Sequence, residues 1–339
     1  MNQEQFYVNH LNWLSNEINF WLQLVTVPLG IIFNLISLFI FSRSNLNKTN
    51  MGFFYLNITT WNTIALLFSF FLIDSKVVLG YDLSLINDVS CASVWFLRRF
   101  VRFVSPWLEV LVTVDRYMFI CHTNKFQFLK SKLYLSIIIV IICICLLLQS
   151  IPNLYYKIYI TYENKNITNN TNLNILRECK TTKEIGLIAD LIPLFIKVLI
   201  PMIIMIILSV LLVRKVKEKK IKKSFTKNGD SNNSKELQFA LTIIGMNATF
   251  IAINLPLSFM NSFRSIYNNL LVKQINSILA TAIINFLYSL SFQIANLYYS
   301  FMFFSYLIFN KLYLNEILHL FKLAKIRNER SHTSESRLK

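Results

Sequence analysis

Long apolar segments separated by shorter polar ones dominate the sequence. Seven such segments can be counted, and each reaches the roughly 20 residues that a helix needs to cross a bilayer. Their apolar positions run continuously and do not alternate as in barrel strands, so the segments are predicted to be helices. The predicted spans are residues 20–41, 51–73, 91–117, 133–152, 187–213, 237–263 and 283–309.

The composition agrees with this pattern. Apolar residues make up 55% of the chain and charged residues only 15%, whereas soluble domains carry roughly 25% charged residues. The net charge of +17 would suggest nucleic-acid binding in a soluble protein. Here the basic residues lie between the apolar spans, so we predict contact with membrane lipid and no nucleic-acid partner.

The loop charges predict the orientation of the spans. The loops after the first, third and fifth spans, together with the C-terminal tail, contain 21 Lys and Arg residues, against eight on the other side. Positively charged loops remain in the cytoplasm. We therefore predict an extracellular N-terminal segment, residues 1–19, and a cytoplasmic C-terminus.

The segment after the seventh span has apolar residues at helical spacing. They are Leu312, Tyr313, Ile317, Leu320 and Phe321, with charged residues between them. This pattern is typical of a helix that lies on the membrane surface. The sequence therefore predicts an all-α membrane protein: a seven-transmembrane helix bundle at 20–309, a short amphipathic eighth helix at 310–323, and a disordered cytoplasmic tail at 324–339.

The third span carries two motifs at its ends. Cys91 begins it, and Asp115-Arg116-Tyr117 ends it. A helix from Cys91 to Arg116 would be about 37 Å long, enough to cross a hydrocarbon core of about 30 Å. This arrangement resembles the third helix of the rhodopsin-like (class A) G-protein-coupled receptors.

Other landmarks extend the resemblance over most of the chain. They are Gly30 with Asn34 in the first span, Pro201 in the fifth, Phe250 with Pro256 in the sixth and Tyr306 in the seventh. The resemblance is to a divergent, invertebrate-type receptor, and a neuropeptide receptor is one candidate. It implies a multi-pass plasma-membrane protein that binds an extracellular ligand and activates a heterotrimeric G protein.

The resemblance also implies roles for individual residues. Asp115, Arg116 and Tyr117 would form the G-protein switch, with Arg116 exchanging its pair with Asp115 for a contact to the G protein. Cys91 and Cys179 would form a disulfide, although two unpaired thiols are the alternative. The other switch residues would be Phe250, Pro256 and Tyr306.

The chain departs from the family pattern in the polar core. Asn62 stands where the family has an aspartate, Asn254 replaces a tryptophan, and Met302-Phe303 replaces Asn-Pro. Glu109 in the third span is a candidate for the missing negative charge, so we expect a polar core of Asn34, Asn62 and Glu109. A receptor-like scaffold with weak coupling is an alternative that these departures leave open.

Three arginines in the middle of the third span are the most individual feature. Arg98 and Arg102 are one turn apart and share a face of the helix. Cations within a membrane normally face the bundle interior. We therefore predict that Arg98 and Arg102, helped by Lys197, bind an acidic ligand. The alternative is internal pairing with Asp190 or Glu109.

The remaining predictions concern modification, catalysis and the ligand. Asn166 and Asn169 begin sequons in the long loop before the fifth span and are candidate glycosylation sites. No catalytic constellation or metal motif is present, so we predict no enzyme activity, cofactor or metal. The ligand is either a peptide, which we favour, or a small anion of a chemosensory receptor. A seven-helix transporter or channel with an anion site is the alternative class.

Overall fold

The computed structural model describes residues 3–43, 47, 49–73, 81–121, 131–164, 173–224, 230–268 and 277–320. Within these residues, seven long helical segments form a bundle. Six of them are α1 Gln3–Phe41, α2 Asn50–Phe68, α3 Asp88–Cys121, α4 Lys132–Gln149, α6 Asp230–Ile266 and α7 Ile278–Phe309. The other, α5, begins as Lys183–Ile192, widens into a π-helical segment at Pro193–Leu199 and continues as Ile200–Ser224. Residues 311–320 form a short additional helix, α8.

Five of the seven predicted spans fall within these segments. The second continues from α2 into a π-helical segment at Ser69–Ile73, and the fourth ends just beyond α4, in a 3-10 turn at Ile151–Tyr155. The main difference is at the N-terminus. The first helix begins at Gln3 and not at residue 20. Hydrophobicity marks only the part of a helix that contacts lipid, whereas polar residues can extend the same helix beyond it. Within the extension, Gln5 donates to Asn9 and Trp21 donates to Glu17, each across one helical turn.

Five helices in the described part of the chain are long and apolar enough to cross a membrane by length and composition. The more polar α2 and α3 complete the bundle. Most of α4 is exposed, with only Leu135, Ile139 and Leu146 buried. Its exposed side chains are large and apolar, as expected for a helix at the lipid-facing edge of a membrane bundle.

Helices α1 and α7 pack in close contact at Gly30 and Ser300. A Cβ atom on Gly30 would lie 2.5 Å from Ser300 Oγ, so only glycine allows this approach. One turn further, buried Asn34 donates from Nδ2 to the Tyr299 carbonyl oxygen at 3.0 Å. The Gly30 and Asn34 pair therefore serves helix packing.

Two irregular helical segments follow from local sequence. Pro193 begins the π-helical segment of α5, where its missing N–H removes a helical hydrogen bond and favours a wider turn. A second π-helical segment, Ser69–Ile73, extends α2. Pro28, Pro106 and Pro256 lie inside helices.

A β-hairpin covers one end of the bundle and was not predicted from the sequence. Strand β1, Lys157–Asn164, pairs antiparallel with β2, Leu173–Lys180, with Ile158 opposite Cys179. A disulfide joins Cys179 to Cys91 at the start of α3. We call this the hairpin end of the bundle and the opposite end the α8 end.

The short helix α8 packs against the bundle through its apolar face. Tyr313 and Ile317 are buried, and the Tyr313 hydroxyl lies 2.8 Å from Ser37 Oγ on α1. Glu316 forms an ion pair with Arg43 at 3.7 Å. The predicted amphipathic helix is confirmed to residue 320, whereas Phe321 and the tail lie outside the described residues.

Candidate functional site

A cavity of about 570 Å³ lies at the hairpin end, between α3, α5, α6, α7 and the hairpin. Basic residues on its wall outnumber acidic ones. The described basic lining residues are Arg98, Arg99, Arg102, Lys180, Lys197 and Arg264. Asp190 is the single acidic residue among the described lining residues, so the cavity carries an excess of positive charge.

Arg98 lies between two aromatic rings. Its Cζ atom is 4.9 Å from the centroid of Trp95 and 4.9 Å from that of Phe292. Cation–π contacts of this kind orient a guanidinium and leave its charge in place. In the described part of the chain no carboxylate pairs with Arg98.

Arg102 is positioned by the helices on either side of α3. It donates to Ser69 Oγ at 2.8 Å and to Asn296 Oδ1 at 2.9 Å, and its Cζ lies 4.5 Å from the centroid of Phe292. The Tyr299 hydroxyl donates to its carbonyl oxygen at 3.1 Å. These contacts fix the guanidinium against the same ring that Arg98 contacts.

Arg99 forms an ion pair with Asp190, which was a predicted alternative partner of Arg98 and Arg102. Its guanidinium lies 2.6 Å from Asp190 Oδ1 on α5. Asn261 on α6 donates to the Asp190 carbonyl oxygen at 3.1 Å. The Arg99–Asp190 pair therefore links α3 to α5 and α6, and the Asp190 carboxylate is paired with Arg99 and not with Arg98 or Arg102.

Lys197 lies in the π-helical segment of α5 and is only 4% exposed. Its Nζ atom faces the Tyr299 ring at 5.7 Å from the centroid. The segment is held by Trp107, whose Nε1 donates to the Ile196 carbonyl oxygen at 3.1 Å. The structure thus brings Arg98, Arg102 and Lys197, the three predicted ligand residues, to one cavity.

Arg264 is a cavity residue that the sequence analysis missed. Its Cζ atom lies 4.4 Å from the centroid of the Tyr288 ring. The available signal was its place directly after the sixth predicted span, two turns beyond Pro256 and on the hairpin side. Lys180 on β2 forms an ion pair with Glu178.

The middle of the bundle holds the predicted polar core. Buried Glu109 accepts a hydrogen bond from the Tyr298 hydroxyl, and Tyr298 packs edge-on against Phe250 with centroids 5.7 Å apart. Asn254 donates to the Phe250 carbonyl oxygen at 3.2 Å. Neither polar atom of the Asn62 side chain has a hydrogen-bond partner among the described residues. Whether Glu109 replaces the missing aspartate stays a prediction.

Asp115, Arg116 and Tyr117 lie at the α8 end, whereas the predicted switch residue Phe250 lies in the middle of the bundle against Tyr298. Arg116 Nε lies 3.4 Å from Asp115 Oδ2, and Asn50 donates to Asp115 Oδ1 at 3.2 Å. Tyr117 is half-buried against the Ile120 cluster between α3 and α5. A second cavity of about 330 Å³ is lined by Asp115 and Arg116.

Tyr306 is fully buried in an aromatic cluster at the same end. Its ring centroid lies 5.0 Å from those of Phe41 and Tyr55 and 5.5 Å from that of Tyr313. Its hydroxyl lies 3.5 Å from Thr59 Oγ1. The cluster joins α1, α2, α7 and α8. Asn166 and Asn169, the candidate glycosylation sites, lie outside the described residues.

Comparison with known families decides the class of the protein. The family model described as 7 transmembrane receptor (rhodopsin family) matches residues 33–296, most of the chain. The chain belongs to the rhodopsin family of seven-transmembrane receptors. No match to a curated protein was found. The receptor is therefore a multi-pass membrane protein that signals, and members of its family are generally not enzymes.

Proposed function

We propose that this receptor detects an extracellular peptide through an acidic group of that peptide, and that it activates a heterotrimeric G protein. The observation that supports an acidic ligand is the cavity at the hairpin end. Basic residues of α3, α5 and α6 line it, and its described lining contains one acid, Asp190, which already pairs with Arg99. An anion is the ligand that such a surface favours.

We infer that the hairpin end faces the outside of the cell. The Cys91–Cys179 disulfide lies at that end, and disulfides persist in oxidising compartments. The loops of the opposite end carry most of the Lys and Arg residues, as cytoplasmic loops do. The N-terminus is then extracellular and the C-terminus cytoplasmic.

Arg98 and Arg102 are the proposed ligand anchors. They share the Phe292 ring, with their Cζ atoms 4.9 and 4.5 Å from its centroid. The planar guanidinium matches a carboxylate with two parallel hydrogen bonds, and aromatic stacking holds it ready. Lys197 adds a point charge deeper in the cavity wall.

The size of the cavity bears on the type of ligand. Small-molecule sites usually measure about 300–1,000 Å³, so a cavity of about 570 Å³ takes a small anion or the end of a peptide. The hairpin beside it offers additional surface for a longer chain. We favour the peptide, and the cavity volume supports a small anionic chemosensory ligand as the second candidate.

The contacts of Arg102 suggest how binding reaches the rest of the bundle. Arg102 bonds Asn296 on α7, and two residues further Tyr298 contacts both Glu109 and Phe250. An anion that binds Arg102 better in one arrangement of α7 shifts the receptor toward that arrangement. In our proposal the active arrangement separates Arg116 from Asp115 and opens the α8 end to the G protein.

The proposal can be tested by G-protein dissociation in cells. The receptor would be expressed with labelled G-protein subunits and exposed to libraries of acidic peptides and small carboxylates. We expect at least one acidic compound to cause dissociation, and Arg116→Ala to abolish the response at equal surface expression. Lys132→Ala is the matched control. Lys132 is an exposed cation at the α8 end, where Arg116 also lies, and among the described residues it bonds only Asn47.

Three results would contradict the proposal. Agonists that act equally well on wild type and on the Arg98→Ala and Arg102→Ala variants would remove the acidic-ligand hypothesis. A ligand-evoked current in cells without G protein would favour the transporter or channel alternative. A receptor that binds ligand without dissociation of any G protein would indicate the scaffold alternative.

A further inference from the structure

The ammonium of Lys197 is buried without a counter-charge. It lines the cavity with 4% of the residue exposed, and within the described residues no carboxylate or hydrogen-bond acceptor pairs with Nζ. Its Nζ atom lies 5.7 Å from the centroid of the Tyr299 ring, which is at the outer range of a cation–π contact. This side chain is therefore directed into the cavity without a partner.

Such an arrangement is unfavourable in the empty receptor. A buried cation normally pairs with an anion, because the loss of its hydration is otherwise uncompensated. Arg98 and Arg102 line the same cavity as the Lys197 ammonium, and like charges facing one cavity repel one another. A ligand anion placed between these cations would relieve both the desolvation and the repulsion.

Two other cations on the cavity wall also have no acidic partner among the described residues. Arg98 on α3 is held by Trp95 and Phe292, and Arg264 on α6 is held by Tyr288. With Lys197 on α5, three helices each contribute one uncompensated positive charge. One carboxylate would neutralise only one of these three charges.

We propose that the ligand carries two or more anionic groups close together, and that Lys197 binds the deepest of them. A polycarboxylate has this chemistry, and so does a peptide end with acidic side chains beside its terminal carboxylate. Arg98 and Arg264 bind the outer groups. The inference rests on the proposed function, and it adds the number of charges on the ligand and the residue that binds the innermost one.

Thermal unfolding of the purified receptor tests this inference without a known agonist. The probes are sodium acetate, succinate and citrate at equal ionic strength, together with the peptides Glu-Glu-Glu and Gln-Gln-Gln. A ligand that binds only the folded state raises the melting temperature. We expect citrate and succinate to raise it and acetate to have little effect. A larger effect of Glu-Glu-Glu than of citrate would identify the peptide end as the source of the charges.

Variants of Lys197 separate a ligand contact from a structural role. Lys197→Met removes the buried charge, so the empty receptor should be equally stable or more stable than wild type. The same variant should bind citrate at least about 30-fold more weakly, the lower range for loss of a buried charge contact. Lys197→Arg should retain the stabilisation by citrate, and Lys132→Met should behave as wild type.

Equal stabilisation by acetate, succinate and citrate would overturn the inference, as would a full citrate effect in Lys197→Met. The proposed function can fail separately. An acidic agonist that activates the Lys197→Met variant as well as wild type would leave the receptor function intact and exclude the deep anion subsite.

Discussion

The two ends of the bundle differ in how far their basic residues are paired with carboxylates. At the α8 end, Arg116 pairs with Asp115, and Asn50 completes the bonding of that aspartate. At the hairpin end, Arg98, Lys197 and Arg264 face a cavity without an acidic partner among the described residues. The first arrangement pairs an arginine with an aspartate within the protein, whereas in our proposal the second receives an anion from outside. Under that proposal, the pairing of charges distinguishes the switch at the α8 end from the ligand-binding site at the hairpin end.

The largest expected effect concerns the binding end. Arg102→Ala should reduce the potency of an acidic agonist by at least about 30-fold, because removal of one partner of a buried charge contact costs about 2–5 kcal/mol. Ser69 and Asn296 would also lose their shared partner. The measurement is the agonist concentration for half-maximal G-protein dissociation at matched surface expression. An unchanged potency would place the ligand elsewhere.

A second prediction compares the two ion pairs directly. Asp115→Asn should raise G-protein dissociation in the absence of agonist several-fold, because it weakens the hold on Arg116. Asp190→Asn frees Arg99 inside the cavity and should change agonist potency, with basal signalling unchanged. Dose–response curves of both variants provide the test. The comparison fails if the two variants show the same pattern.

A third prediction tests the contact between Gly30 of α1 and Ser300 of α7, which lies between the two ends of the bundle. Gly30→Ala should lower stability by about 1–3 kcal/mol, because its Cβ would overlap Ser300 in a packed core. Gly186→Ala is the matched control, since the nearest atom to its Cβ would be 3.4 Å away. Thermal unfolding in detergent measures both. Equal melting temperatures for the two variants would show that the α1–α7 interface can relax.

The smallest effect is expected at α8. Tyr313→Phe removes the hydrogen bond to Ser37 and should cost about 0.5–1.5 kcal/mol. Agonist potency should remain at the wild-type value, because the change lies at the opposite end from the cavity. Thermal unfolding and dose–response curves check the two expectations. A large loss of potency would mean that the ends are coupled more tightly than their separate charge balance suggests.

The spans could be predicted because hydrophobicity over about 20 residues is a strong signal for a membrane helix. Arg98, Arg102 and Lys197 could be singled out because cations are rare inside such spans. The N-terminal extension of α1 was missed because its polar residues lower the hydrophobicity below that of a span, although Tyr7, Leu11, Leu14 and Ile18 recur at helical spacing. The hairpin was missed although β1 carries a signal: residues 158–162, Ile-Tyr-Ile-Thr-Tyr, are β-branched and aromatic types that favour strands, within a loop that is polar as a whole.

Arg264 shows a different limit. It lies just beyond the predicted sixth span, where a basic residue is ordinary, and only its stacking on Tyr288 from α7 brings it to the cavity. The partner of Arg99 was equally open in the sequence, because Asp190 is 91 positions away. Contacts between distant helices depend on how the bundle packs, and periodicity within one helix does not report them.

The attachment of the hairpin bears on the kinetics of binding. Tyr156, just before β1, stacks on Trp95 with centroids 4.8 Å apart, the Ile158 N–H donates to Asp88, and β2 is joined to α3 by the disulfide. With both strands fastened to α3, the roof of the cavity cannot swing away from that helix. We therefore expect the entry and exit of a ligand to depend on movements of the other cavity helices, α5, α6 and α7, and not on movement of the hairpin.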